Sequence, residues 1–219
     1  MRPRGHRLPA VARGALVALG AVVPAAHADR YEASLGLGAH GTAARVGEPG
    51  ATPAWTSGLG LDVRATYATS NTWAYTLQLG AVVTQPVYYP DVERDVDGRM
   101  ERGSVTRRTI AAALTAGAEL RLGPRLVPTV RLAAGPQVRH RTASDLGGLI
   151  GAVPAETTAD LVVSVGLGLD LRVDARRVLG LVLRFDHAQP LGDAEPIDTL
   201  GVALRFDRYW YPRWQAPAW

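Results

Sequence analysis

The charged residues of this chain are set at alternate positions within runs that are otherwise aliphatic. Glu32, Asp62, Arg64, Glu119, Arg121, Arg131, Arg139, Asp170, Arg172, Arg184, Asp186, Arg205 and Asp207 all stand this way. On a strand, residues two apart share a face. Asp62 with Arg64, Glu119 with Arg121, Asp170 with Arg172, Arg184 with Asp186 and Arg205 with Asp207 therefore each set an acid beside a guanidinium. Such a surface supports one of two chemistries. It can line a polar pore, or it can close on itself as a lattice of ion pairs. An unpaired charge withdrawn from water is costly, so the even mixture of signs favours pairing.

The other groups that could act chemically are few. Past the first 28 residues the histidines are His40, His140 and His187. His187 falls at the end of an apolar stripe, and Gln189 follows two positions on, so no nucleophile adjoins this candidate base. No catalytic residue is assigned, and the chain is not expected to be an enzyme. His40 and His140 both map near one rim but lack a carboxylate at ligand spacing, so no metal site is expected. The stretch DVDGR (95–99) lacks the spaced ligands and terminal Glu of a calcium loop. With no Cys, thiol chemistry and disulfides are excluded. No cofactor is expected.

Composition removes another class. The 24 basic residues are all Arg, against 20 acids. Arg2, Arg4, Arg7 and Arg13 lie in a start segment without acids; setting them aside leaves 20 basic against 20 acidic residues. The excess that suggests a polyanion partner thus disappears, and no nucleic-acid binding is expected. That start segment reads as a signal peptide over 1–28. A positive beginning precedes the apolar Gly14–Val23, and Ala26-His27-Ala28 offers a small-x-small cleavage site before Asp29. The apolar part is too short to span a bilayer.

The elements that position these charges are strands. Their apolar stripes recur over Tyr31–Ala39, Trp55–Tyr67, Trp73–Thr84, Ile110–Leu122, Leu126–Arg139, Asp160–Val173, Val178–Ala188 and Ile197–Phe206. In the sixth, Leu161, Val163, Val165, Leu167, Leu169, Leu171 and Val173 take every second place, opposed by Ser164, Gly166, Gly168, Asp170 and Arg172. Pro128 and Pro136 make the fifth the least regular, since proline cannot donate to a ladder. The connections alternate. Gly/Pro-rich 40–53, the charged 85–103, 142–158 and 189–196 are long or medium, whereas 70–71, 123–125 and 174–177 are tight. Stripes facing outward and charges facing inward predict an all-β fold: an eight-stranded antiparallel up-and-down transmembrane β-barrel over residues 29–219, since only a closed sheet leaves no unpaired edge in lipid. The opposite arrangement, a soluble barrel with an apolar interior, requires the stripes to face inward.

Aromatic residues are expected at the membrane interfaces. Tyr31, Tyr67, Trp73, Tyr75, Tyr209, Trp210 and Tyr211 map to the tight-turn end and Trp55 to the other, as in an aromatic girdle.

The AHA cleavage site, the Gly-rich first strand LGLGAHG, the alternating strands and the short turns resemble the small OmpA/OmpX-like outer-membrane β-barrels of Gram-negative bacteria. Trp219 is similar to the terminal aromatic residue that the assembly machinery reads in that family, although Pro212 and the tail QAPAW depart from it. The resemblance implies an outer-membrane monomer with periplasmic turns, embedded among outer-membrane lipid and lipopolysaccharide. It implies a structural or interaction role through the surface loops. An interior of this size is filled by its own side chains. A narrow porin-like channel is the alternative reading. A lipid-modifying barrel is a further one; such enzymes pair their His with a Ser two residues on, where this chain has Gln189.

Overall fold

The computed structural model describes residues 32–210 apart from 49–50, 71, 124–125, 175 and 193. The expected signal peptide, Tyr31, Tyr211 and Trp219 lie outside the described residues. In chain order the strands are β1 (Glu32–Val46), β2 (Ala54–Ala68), β3 (Trp73–Thr84), β4 (Val87–Val96), β5 (Arg99–Arg107), β6 (Thr109–Arg121), β7 (Leu126–Arg141), β8 (Ser144–Leu146), β9 (Leu149–Val153), β10 (Glu156–Arg172), β11 (Arg177–Pro190) and β12 (Ile197–Trp210). Eight of them close in the order β1-β12-β11-β10-β7-β6-β3-β2, every pair antiparallel.

The side-chain period of two decides which face is which. Leu59 is 76% exposed and Leu61 69%, whereas Arg64 is 1% and Glu119 0% exposed. The sheet is thus apolar outside and charged inside, which excludes the soluble alternative. An exposed apolar belt of this extent is stable only against lipid.

Three stretches differ from the sequence reading. The segment 40–46 is strand rather than loop: β1 continues to Val46, paired with both β12 and β2. Its outward residues there are Gly41, Ala43 and Arg45, so the aliphatic stripe that marks the other strands is missing. The charged 85–103 stretch is also largely strand. β4 and β5 form a hairpin turned at Asp97-Gly98, both with positive φ (52° and 81°). That backbone matches the strand twist and selects Asp-Gly. Within 142–158, β8 and β9 make a small second hairpin, and Thr106 N–H donates to Ser144 Oγ at 3.0 Å to join the two.

Pro128 and Pro136 both stand within an unbroken β7 that pairs with β10 along its length. Toward β6 the ladder skips from Ala113↔Gln137 to Ala116↔Ala134. Gly135 fills the gap: a Cβ there would lie 1.9 Å from the Leu114 carbonyl oxygen.

The apolar core lies at the long-loop end. Ala44, Val46, Val162, Ala188 and Ile197 from the barrel wall meet Val87, Tyr89, Val92 and Val105 of the first hairpin and Leu146 and Val153 of the second. Val92 and Val162 are fully buried. The hairpins thus form an apolar cap over the charged lumen.

Candidate functional site in the barrel lumen

Each lumen charge is placed by strand parity. Nearest the tight turns, Arg172 of β10 reaches Glu32 of β1 at 3.6 Å. Above them is a layer that crosses the barrel. Arg64 of β2 donates from Nη1 to Glu119 of β6 at 2.5 Å and from Nη2 to Asp207 of β12 at 3.0 Å. Arg121 Nε donates to the other oxygen of Glu119 at 3.0 Å. Arg205 holds Asp207 at 2.6 Å and Asp170 of β10 at 2.6 Å. Three guanidiniums and three carboxylates are thus interlinked, every one buried. Charge-assisted bonds in a site shielded from water are the strong ones, and the reciprocal pairing offsets part of the penalty that an isolated buried charge carries.

Higher up, Arg131 donates to Gln78 Oε1 and to Thr115 Oγ1, the latter at 3.2 Å, so its partners are neutral. Arg184 pairs with Asp186 at 2.7 Å, and Asp62 approaches His40 Nδ1 at 3.3 Å. Below the cap, Asp160 accepts from Arg139 and from Gln137, each at 3.0 Å. Two cavities among the described residues of the interior are small. A cavity of about 40 Å³ adjoins His40, Thr84, Gln137 and Arg184, and one of about 20 Å³ adjoins Asp62, Arg64, Gln78 and Arg131. Each has room for no more than a few waters.

Several of these residues are absent from the sequence-derived set. Gln78, Thr115 and Asp160 share the inward parity of the charges beside them, which is the signal that could have identified them. Glu48 carried no signal, because it lies past the end of β1. It is 1% exposed and sits among Arg94, Arg107 at 3.2 Å and Arg141 at 3.5 Å. This second ionic cluster ties the β4–β5 hairpin to the barrel rim. Tyr89 adds to it, donating to the Val46 carbonyl at 3.1 Å; burial pushes its phenol up to about 12.

On the outer surface, Tyr67 and Tyr75 are cross-strand partners, and both are exposed at the tight-turn end. Trp73 is part-exposed at the same end, Trp210 is exposed there, and Trp55 is 61% exposed at the opposite rim. Tyr209 does not belong to this set. It shares parity with Arg205 and Asp207, so it faces the lumen, 5% exposed, with the Arg121 guanidinium 5.7 Å from its ring centre. Parity also separates two histidines expected near one rim: His40 is inside, whereas His140 is outside, 3.0 Å from Thr157 Oγ1. His187 is outward, and its Nδ1 is bonded to Asp198 Oδ1 at 2.7 Å. Among the described residues no serine, threonine or cysteine is bonded to the His187 ring, and no group of three metal-ligating side chains converges.

No protein-family model matches the sequence, and no curated protein does. Solved structures do match. Ail, the attachment invasion locus protein of Yersinia pestis, solved with the heparin analogue sucrose octasulfate, is similar over 83% of this chain and 99% of its own, with 13% identity and a TM-score of 0.53. OprG from Pseudomonas aeruginosa covers 85% of this chain and 98% of its own at 12% identity and a TM-score of 0.47. Neisserial surface protein A covers 79% and 95% at 13% identity and a TM-score of 0.46. At such identities the shared property is architecture. With its closed antiparallel order, outward apolar belt and charged interior, the chain has the fold of the small eight-stranded transmembrane β-barrels of bacterial outer membranes.

Proposed function

We propose that this protein is a monomeric outer-membrane barrel closed to solute flow, and that it acts through its outer surface in a structural or interaction role. The observation that carries this reading is the double closure of the lumen. A crossed layer of buried Arg, Asp and Glu spans it near the tight turns, and an apolar cap made by the two hairpins covers it at the other end. Water and ions passing through must displace both, and an eight-stranded barrel has no spare width beside its own side chains. The long-loop end then faces the outside and the tight turns face the periplasm. The paired hairpins, anchored by Glu48, form the surface available to a partner.

The test is conductance of the refolded chain in a planar bilayer, with Arg131→Ala and Asp170→Ala measured beside it. A folded, inserted and silent barrel is expected. Steady discrete openings whose size changes in those variants would refute the closed barrel and establish a narrow pore.

A further inference from the structure

The lumen charges are not evenly shared. In the crossed layer every guanidinium has a carboxylate, and Arg184 has Asp186 at 2.7 Å. Arg131 is the exception. It is 9% exposed, and the groups that accept from it are the neutral Gln78 and Thr115. Its register partner on β6 is Glu119, but the two oxygens of that carboxylate are taken by Arg64 and Arg121. Register sets an acid beside Arg131, and the crossed layer draws that acid away. A guanidinium in a protein keeps its charge, and a buried charge without a counterion is costly.

The cavity of about 20 Å³ adjoins this residue. Four arginines line it, Arg64, Arg131, Arg184 and Arg205, against one carboxylate, Asp62. Two of the four carry a donor without a partner: Nε of Arg131 and Nε of Arg64 are both buried and unbonded. Asp62 stands on β2, three strands round the ring from β7. Its ion-pair contact is His40 at 3.3 Å, and no arginine pairs with it among the described residues. A space of this size holds about one water-sized particle. A water can accept from the orphan donors but carries no charge to set against Arg131. A phosphate or sulfate is too large. A single halide meets both requirements.

We infer that the lumen holds one buried halide ion, chloride being the common one, between Arg131, Arg64 and Arg184. The ion accepts from the orphan Nε groups and supplies the countercharge that Gln78 and Thr115 lack. It is a structural ligand enclosed as the ring closes, separate from any partner of the outer surface. Asp62, lining the same cavity, limits how tightly the ion is held.

The test is equilibrium urea unfolding of the refolded chain in lipid vesicles at fixed ionic strength, with sodium chloride replacing sodium gluconate. Once the site is half filled, the folding constant should rise about tenfold for each tenfold rise in chloride, and bromide should act alike. Asp62→Asn removes the opposing carboxylate and should lower the chloride needed about tenfold. Arg131→Met should abolish the dependence, and Arg172→Gln, at the Glu32 pair near the tight turns, should keep it. Crystals grown in bromide should show one anomalous peak between Arg64, Arg131 and Arg184. No halide dependence in the unsubstituted chain, the same dependence in Arg131→Met, or no bromide peak at the cavity would mean that water fills it and would overturn the site. If heat-modifiable migration shows that Arg131→Met does not fold, Asp62→Asn decides: an unchanged or higher chloride requirement refutes the ion. Conductance is read separately, so a silent barrel without halide dependence loses only the ion, whereas discrete openings refute the closed lumen.

Discussion

Replacing Arg64 with Ala should be among the most damaging changes to this barrel. Arg64 is 1% exposed and bridges Glu119 and Asp207, which come from strands on either side of β2 around the barrel. Removing one partner from a buried ionic group costs about 3–5 kcal/mol, because the remaining charge is left uncompensated. Glu119 retains Arg121 at 3.0 Å, and Asp207 retains Arg205 at 2.6 Å. The expected loss is therefore near the lower limit, about 3 kcal/mol. The assay is equilibrium urea unfolding in lipid vesicles, followed by tryptophan fluorescence. Glu119→Ala and the double variant complete a cycle. If the pair is desolvated, the double variant should be more stable than the sum of the single losses predicts, by about 1–3 kcal/mol. A loss below about 1 kcal/mol, with additive single effects, is the behaviour of separately hydrated charges. That outcome would show a water-filled lumen and refute the argument for closure.

Two further predictions concern the cap. Glu48→Gln keeps the side-chain shape but removes the carboxylate shared by Arg94, Arg107 and Arg141; tryptic cleavage at Arg99 and Arg102 should accelerate about tenfold, corresponding to about 1.4 kcal/mol of local opening, while heat-modifiable migration of the barrel stays unchanged. Burial raises the Tyr89 phenol to about 12 from an unfolded value of about 10, so the stabilisation from its neutral form is complete below pH of about 10 and is lost as pH rises through about 12; absorbance titration should show a late tyrosinate step that Tyr89→Phe removes, and an unchanged titration in that variant would exclude burial of this phenol.

The barrel was legible because its signal repeats. Each barrel strand from β2 onward carries a stripe of alternate Leu, Val or Ala, and the number of barrel strands follows from counting stripes. The same rule concealed the end of β1, where Gly41 and Ala43 leave the stripe blank. Tyr209 was misplaced for a related reason: aromatic character suggested an interface, whereas parity with Asp207 puts the ring inside. Asp97-Gly98 was a readable hairpin turn hidden within a charged stretch that otherwise resembles a loop. The lumen pairs split in the same way. Neighbours two apart, such as Arg184 with Asp186, follow directly from periodicity. The links from Arg64 to Glu119 and Asp207 depend on which strands face each other across a closed sheet, and no local pattern encodes that. Glu48 is the extreme case, a loop residue whose partners come from the hairpin folded over it and from Arg141 at the end of β7.

The crossed lumen layer also bears on assembly. Arg64 and Asp207 are separated by 143 positions, and Arg64 and Glu119 by 55. An open, partly formed sheet can zip β2, β3 and β6 together from neighbouring hairpins, but it cannot supply Asp207 until β12 meets β1. Up to that moment Arg64 lacks one of its two carboxylates, and Asp207 lacks Arg64. Contacts so distant in sequence form late and slowly. The ionic layer therefore acts as a latch on the seam: it favours only the fully closed ring, and it penalises any intermediate that buries these charges with the seam still open.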